Sequence, residues 1–246
     1  MYHWNERSAQ IGARIPLVRL SGLSTQSLSA GATVGWTRIS DMPVNEIGSN
    51  NNGDFTPVSY ALSASHFLPS AARDIAPRGL FGIASYRHTP FSGDYDGHLL
   101  SLRGAAFLPG LFRHHALMFD AVREEQRPTN YLFSTEYAGS RGYGTFTHER
   151  FERASATYML PLFYPDAALG PLAYFKRVQG AAFLDWGAGE RRDGTHRFLY
   201  RSVGAELTTD VAPIQLRDTF RVGARLSYRL DELPAWRTDF VFALPF

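Results

Sequence analysis

The stretch TFRVGARLSYRL (residues 219–230) puts an apolar residue at every second position: Phe220, Val222, Ala224, Leu226, Tyr228 and Leu230. Between them lie Arg221, Gly223, Arg225, Ser227 and Arg229. A period of two describes a strand with two unlike faces. Further on, Phe240, Phe242, Leu244 and Phe246 form a second stripe, opposed by Arg237, Asp239, Val241 and Ala243. The buried stripe of a soluble sandwich is usually aliphatic, and its other face seldom carries arginine so regularly. Aromatics against lipid and arginines against a wet lumen fit better, and the pattern predicts an all-β, closed antiparallel transmembrane β-barrel. Phe220, Leu226, Phe240 and Phe242 are expected to face lipid, and Arg221, Arg225, Arg229 and Arg237 the lumen.

Composition agrees. The chain has 246 residues, 44% of them hydrophobic and 14% aromatic, and the Phe and Tyr content suits the aromatic girdles at membrane interfaces. No apolar run is long enough for a transmembrane helix, so a membrane-spanning structure has to be a barrel. The mean hydropathy of -0.21 is compatible with this, because only alternate residues need be apolar. Without cysteine there are neither disulfides nor thiolate metal sites. The net charge of +2 is balanced and scattered, which argues against nucleic-acid binding. The opening MYHWNER lacks the basic start and apolar core of a signal peptide, which an outer-membrane protein needs. Residues 1–246 are therefore expected to be a single outer-membrane barrel domain, the C-terminal part of a longer precursor.

Turn residues recur at intervals of roughly 20, one long strand plus one connector. About twelve strands are predicted, within a range of ten to sixteen. They span 8–19, 26–40, 55–68, 78–88, 97–108, 111–123, 130–138, 150–163, 171–186, 195–207, 217–230 and 235–246. Clear outward stripes run through Leu28, Ala30, Ala32, Val34 and Trp36, through Ala154 to Tyr164, and through Val178 to Trp186. An even count puts both termini on one side, the periplasm in bacterial barrels. Segments 20–26, 69–77, 109–110, 139–149, 188–194 and 231–235 would then face outward.

Two motifs follow in order. Ser140-Arg141-Gly142-Tyr143-Gly144 sits in an outer loop, and Phe183-Leu184-Asp185-Trp186-Gly187 closes a strand with Phe183, Asp185 and Gly187 on its inner face. About five strands and a terminal phenylalanine come after the loop. In this order the chain resembles the BamA, TamA and two-partner-secretion transporter superfamily, the bacterial surface-antigen barrels. That family has an RG(F/Y) loop folded back into the barrel, an F-x-D-x-G strand on the inner wall and a C-terminal aromatic. RSVGAEL (residues 201–207) also looks like the strand after F-x-D-x-G. The resemblance implies that Arg141 reaches Asp185, that Gly142 allows a tight tip and that Tyr143 packs on the wall. It further implies that Phe240, Phe242, Leu244 and Phe246 form the C-terminal signal read by the assembly machinery. The likeness covers residues 139–246. Upstream, residues 1–138 are expected to hold fewer strands than the family's barrel and none of the periplasmic domains that receive substrate.

The implied function is aid to insertion or passage of polypeptides across the outer membrane, with lipid, the assembly machinery and unfolded polypeptide as partners and no cofactor. An alternative is a passive pore, or an anchor for an N-terminal periplasmic domain. A lesser alternative is an outer-membrane hydrolase. His114 and His115 adjoin in a predicted strand, so they point to opposite faces and cannot share a metal. Ser65 and His66 are likewise opposed, which leaves no hydrolase constellation. Asp94-Tyr95-Asp96-Gly97 opens like a calcium loop but lacks its later ligands, and reads as a polar turn.

Overall fold

The computed structural model describes residues 5–40, 52–69, 74–91, 93–128, 131–144, 147–190, 196–213, 219–231 and 235–243. They form one sheet of fourteen strands, every pairing antiparallel, with no helix among the described residues. The strands are β1 (Asn5–Ser21), β2 (Thr25–Ser40), β3 (Gly53–Phe55), β4 (Val58–Leu68), β5 (Arg78–His88), β6 (Gly97–Pro109), β7 (Ala116–Pro128), β8 (Arg150–Phe163), β9 (Ala167–Leu169), β10 (Ala173–Glu190), β11 (Arg197–Leu199), β12 (Ser202–Pro213), β13 (Phe220–Arg229) and β14 (Ala235–Ala243). Eleven of them follow each other as next-neighbours from β1 to β14, while β3 lies against β2 and the short β9 and β11 lie against β10. Among the described residues no pairing joins β1 to β14.

Alternation divides the sheet into two unlike faces. On the outer face Leu184, Leu207, Leu226, Phe240 and Phe242 are all exposed, at 56%, 56%, 45%, 77% and 62%. Their neighbours in sequence are polar and turn inward: Asp185, Glu206, Arg225 and Asp239. Phe220 stacks on Phe242 with ring centroids 5.5 Å apart, so both belong to the outer face. Arg221 and Arg225 point inward, to Asp210 and Glu206. Arg229 lies over the Tyr143 ring, and Arg237 sits opposite the fully buried Ser227. The inward arginines and outward aromatics are thus where the period of two puts them.

The outer apolar band is bounded at one end by charge. Arg123 pairs with Glu152, Arg150 with Glu125 and Glu190, and Arg197 with Glu190. These side chains cross β7, β8, β10 and β11 at a single level. From there Ala154, Ala156, Tyr158, Leu160 and Leu162 continue the outward row of β8. That row is long enough for a membrane-crossing strand, which takes about 9–11 residues.

The core lies between the inner face and the described residues 131–144 and 147–149. Ile39, Phe55, Leu99 and Phe133 form one buried cluster with Tyr95 and Tyr131 against it. Val122, Phe151 and Tyr200 form another, with Tyr137 and Tyr143 against it.

Three expectations are corrected. Residues 131–138 are not a strand; they descend onto the inner face, and the aromatic alternation of Tyr131, Phe133 and Tyr137 serves to pack against the wall. Residues 111–115 are a turn, with His114 at φ 66, so β7 begins at Ala116. Removing the spurious strand changes the sidedness. The strand ends Ser21 and Thr25, Leu68 and Arg78, Pro109 and Ala116, Phe163 and Ala173, and Pro213 and Phe220 share one end of the sheet, and Ser40 and Val58, His88 and Gly97, Pro128 and Arg150, Glu190 and Ser202, and Arg229 and Ala235 share the other. The strand ends that border the predicted outward segments 20–26, 69–77 and 109–110 are therefore opposite those that border 139–149, 188–194 and 231–235. With eleven alternating strands, Asn5 and Ala243 lie at opposite ends of the sheet, so the one-sided termini inferred from an even count do not hold for the described strands.

Candidate functional site, a loop pinned to the inner wall

The described part of the connection from β7 to β8 is anchored at several points. Gln126 of β7 uses its side-chain amide like a strand partner: Nε2 donates to the Phe133 carbonyl and Oε1 accepts from the Phe133 N–H, both at 2.8 Å. Glu124, one inward position earlier, accepts from the Glu136 N–H at 2.8 Å and the Tyr137 N–H at 3.3 Å. Glu136 itself reaches Ser85 at 2.6 Å and Arg87 at 3.1 Å on β5. Arg153 donates to the Ala138 carbonyl at 2.8 Å and also pairs with Asp120, which Arg103 holds from the other side at 2.8 Å. The contacts of Gln126, Glu124, Glu136 and the Ala138 carbonyl link loop groups to strands through buried or half-buried polar atoms, which are costly to leave unmatched, and Asp120 fixes Arg153 for its part.

The tip is a turn closed by the Tyr143 N–H donating to the Ser140 carbonyl at 3.2 Å. Gly142 occupies it at φ 85, in the left-handed region, and a Cβ there would stand 2.8 Å from the Ser227 Cβ. Only glycine meets both conditions. This geometry aims Arg141 at β10. Its Nε donates to Asp185 Oδ2 at 2.9 Å and its Nη2 to Oδ1 at 2.6 Å, a bidentate fork. The Arg141 N–H adds a third bond to Oδ2 at 2.8 Å. Nη2 also reaches Ser155 at 2.7 Å and Thr157 at 2.9 Å on β8, and Nη1 reaches Glu206 on β12 at 3.4 Å. Below the fork, the Phe183 ring lies 3.7 Å from the guanidinium carbon, a cation–π contact from the same strand. Asp185 is 2% exposed.

The other predicted residues converge on this point. Gly187 leaves room for Ser140, since a Cβ there would lie 2.6 Å from Ser140 Oγ. Tyr143 packs edge-on against Tyr200 with centroids 5.4 Å apart, and its hydroxyl donates to the Arg201 carbonyl at 2.9 Å. Phe240 and Phe242 lie elsewhere, on the outer face of β14, and Leu244 and Phe246 fall outside the described residues.

Sequence reasoning missed a second inner-wall network. Asp210 on β12, 1% exposed, takes Arg177 Nη2 at 2.5 Å and Arg221 Nε at 3.3 Å. The inward phase of Arg221 was legible, but the identity of its partner depends on the register Asp210↔Arg221. Arg177 joins only because the register shifts between Phe175 and Arg177.

At the mouth, His148 Nε2 is 2.8 Å from the Tyr200 hydroxyl, and its ring stacks on Phe151 and Phe198. Burial holds its imidazole below the ordinary histidine range. The released loop therefore takes up a proton more readily than the docked one. Docking is at full strength above the ordinary histidine value of about 6.5 and weakens as pH falls through it. The protection factors of the described amides between 131 and 149, each taken against the intrinsic exchange rate at the same pH, are expected to fall on acidification from about pH 7.5 to about pH 5.5. His148→Gln should remove that dependence, and an unchanged pH response in the variant would refute the assignment.

The remaining candidates do not assemble a reaction centre. His114 meets Asp74, between β4 and β5, at 2.8 Å, while His115 meets Tyr158 of β8 at 2.7 Å. Ser65 bonds Ser27 at 2.7 Å on the inner face, and His66 is exposed on the outer one. Asp94 accepts from the Asp54 N–H at 2.8 Å and Asp96 from Thr89 at 2.9 Å, the contacts of a polar turn. No group of potential metal ligands occurs among the described residues. In the comparisons with known proteins, no family model matches the chain and no curated protein is significantly similar to it.

Proposed function

We propose that this sheet is the wall of a closed barrel in the bacterial outer membrane, akin to the assembly and translocation barrels of the surface-antigen type, and that it aids insertion or passage of polypeptides. The observation that carries this reading is the Arg141–Asp185 fork, which folds residues 131–149 onto the inner wall with five next-neighbour strands, β8, β10, β12, β13 and β14, after it. A passive tether has no need of a loop held by so many wall contacts. The apolar outer band under a charged rim supports residence in lipid. In lipid the unpaired edges of β1 and β14 cannot stay open, which supports closure. The longer connections, with the loop, face outward, and the end of β14 faces the periplasm, where the Phe240 and Phe242 stripe meets the assembly machinery. The partners are outer-membrane lipid and unfolded polypeptide.

The test is insertion of a urea-denatured barrel protein into liposomes that carry this chain in its folded form. A severalfold acceleration, lost in Arg141→Ala, is expected. No acceleration over empty liposomes would reject the assembly reading. The second reading, a passive pore, is favoured by one feature: the inner face of β1, β2, β4 and β5 borders a cavity of about 610 Å³ that the loop does not fill. Steady conductance without acceleration would select it.

A further inference from the structure

We infer that this uncovered part of the inner face carries a carboxylate-binding site centred on Arg14. Ion pairs account for most inward arginines: Arg87, Arg103, Arg141, Arg153, Arg177, Arg221 and Arg225 each meet an Asp or Glu. Arg14 is different. Among the described residues it meets no carboxylate, and only hydroxyls hold it. Its Nε donates to Ser29 at 2.7 Å and its Nη2 to Ser63 at 2.5 Å, and these two serines, on β2 and β4, bond each other at 2.8 Å. The guanidinium is thus fixed across three strands without being neutralised. Two serine contacts leave donors of the fork unused, and the geometry of that fork suits a carboxylate.

The surroundings favour an anion of some size. The cavity of about 610 Å³ at Arg14 is also lined by Gln10, Thr33 and Ser59, all polar. Glu136 on the far side is the one carboxylate lining it, and Arg87 and Ser85 already hold it at 3.1 and 2.6 Å. The local balance is therefore one unmatched positive charge. The site goes beyond the proposed function, because it requires binding and not transport. Its ligand chemistry is a carboxylate, supplied either by acidic side chains of an extended polypeptide or by a free small dicarboxylate.

The experiment measures binding to the folded full chain in detergent micelles by titration calorimetry, with hexaglutamate, hexaglutamine and succinate as probes. Hexaglutamate is expected to bind and hexaglutamine not to bind. Arg14→Gln should weaken binding about tenfold or more, as the loss of charge-assisted bonds implies, and Arg14→Lys less so. Glu136→Gln frees Arg87 and should tighten binding, a gain that misfolding cannot imitate. Succinate binding as tight as that of hexaglutamate assigns the site to free dicarboxylates; much tighter hexaglutamate binding assigns it to polypeptide. Equal affinity of Arg14→Gln and the unaltered chain, or equal binding of hexaglutamine, overturns the site. Either result leaves the liposome insertion test untouched.

Discussion

Arg141→Ala and Asp185→Ala will each release residues 131–149 from the inner wall, and the double variant will be little worse than either single. Asp185 is nearly sealed from solvent and receives three bonds from Arg141 and one from Ser155, at 2.6 Å. Deleting the arginine side chain leaves a buried carboxylate with no counter-charge from the loop, held by the Ser155 hydroxyl and the backbone N–H of residue 141 alone. Deleting the aspartate leaves a guanidinium over the Phe183 ring with only the more distant Glu206 as a counter-charge. Removal of one partner from a buried pair costs about 3–5 kcal/mol, most of it the stranded charge, so removal of both recovers a large part. Glu206 does not blur the cycle, because Arg225 continues to hold it at 2.7 Å. The measurement is amide exchange and protease cleavage within residues 131–149 on protein folded in lipid. Additive losses would mean that the loop is held independently of this pair.

Leu184→Arg should be the most damaging single change on the outer face. Leu184 is 56% exposed, a residue that water would allow to become arginine for almost nothing, since most surface substitutions stay within about 0.5 kcal/mol. In hydrocarbon the same change costs about 2–4 kcal/mol near the midplane of a barrel. Leu184 lies between Glu190 at the charged rim and Tyr174 near the other end of β10, so midplane depth is expected. Denaturant titration in liposomes measures the effect, with Arg123→Ala in the rim as the near-neutral control. Equal stability of the two variants would place the outer face in water.

The long strands were legible because the two faces of the sheet make opposite demands on alternate residues, one apolar and exposed and the other polar and paired, and TFRVGARLSYRL obeys both at nearly every position. The failure at 131–138 has the same root. A loop that packs aromatics onto a wall also alternates, and Tyr131, Phe133 and Tyr137 imitate a strand whose hydrogen bonds are in fact made with the Gln126 and Glu124 side chains. The Arg141 site was readable because its residues cluster in two short motifs. The Asp210 network was not, since its members come from three strands and meet only through register and a bulge. Arg14 gave no signal, because what sets it apart is the carboxylate that its register neighbours Gly31, Ser29 and Ser63 do not supply.

The strand count has a consequence of parity. Eleven alternating strands leave β1 and β14 pointing the same way. Joined directly, they would form a parallel seam, 9 residues against 17, with slanted and slightly weaker bonds in an otherwise antiparallel wall. A wall antiparallel throughout needs an odd number of further strands between these two edges. A single strand running opposite to both would satisfy each edge at once, whatever molecule supplied it.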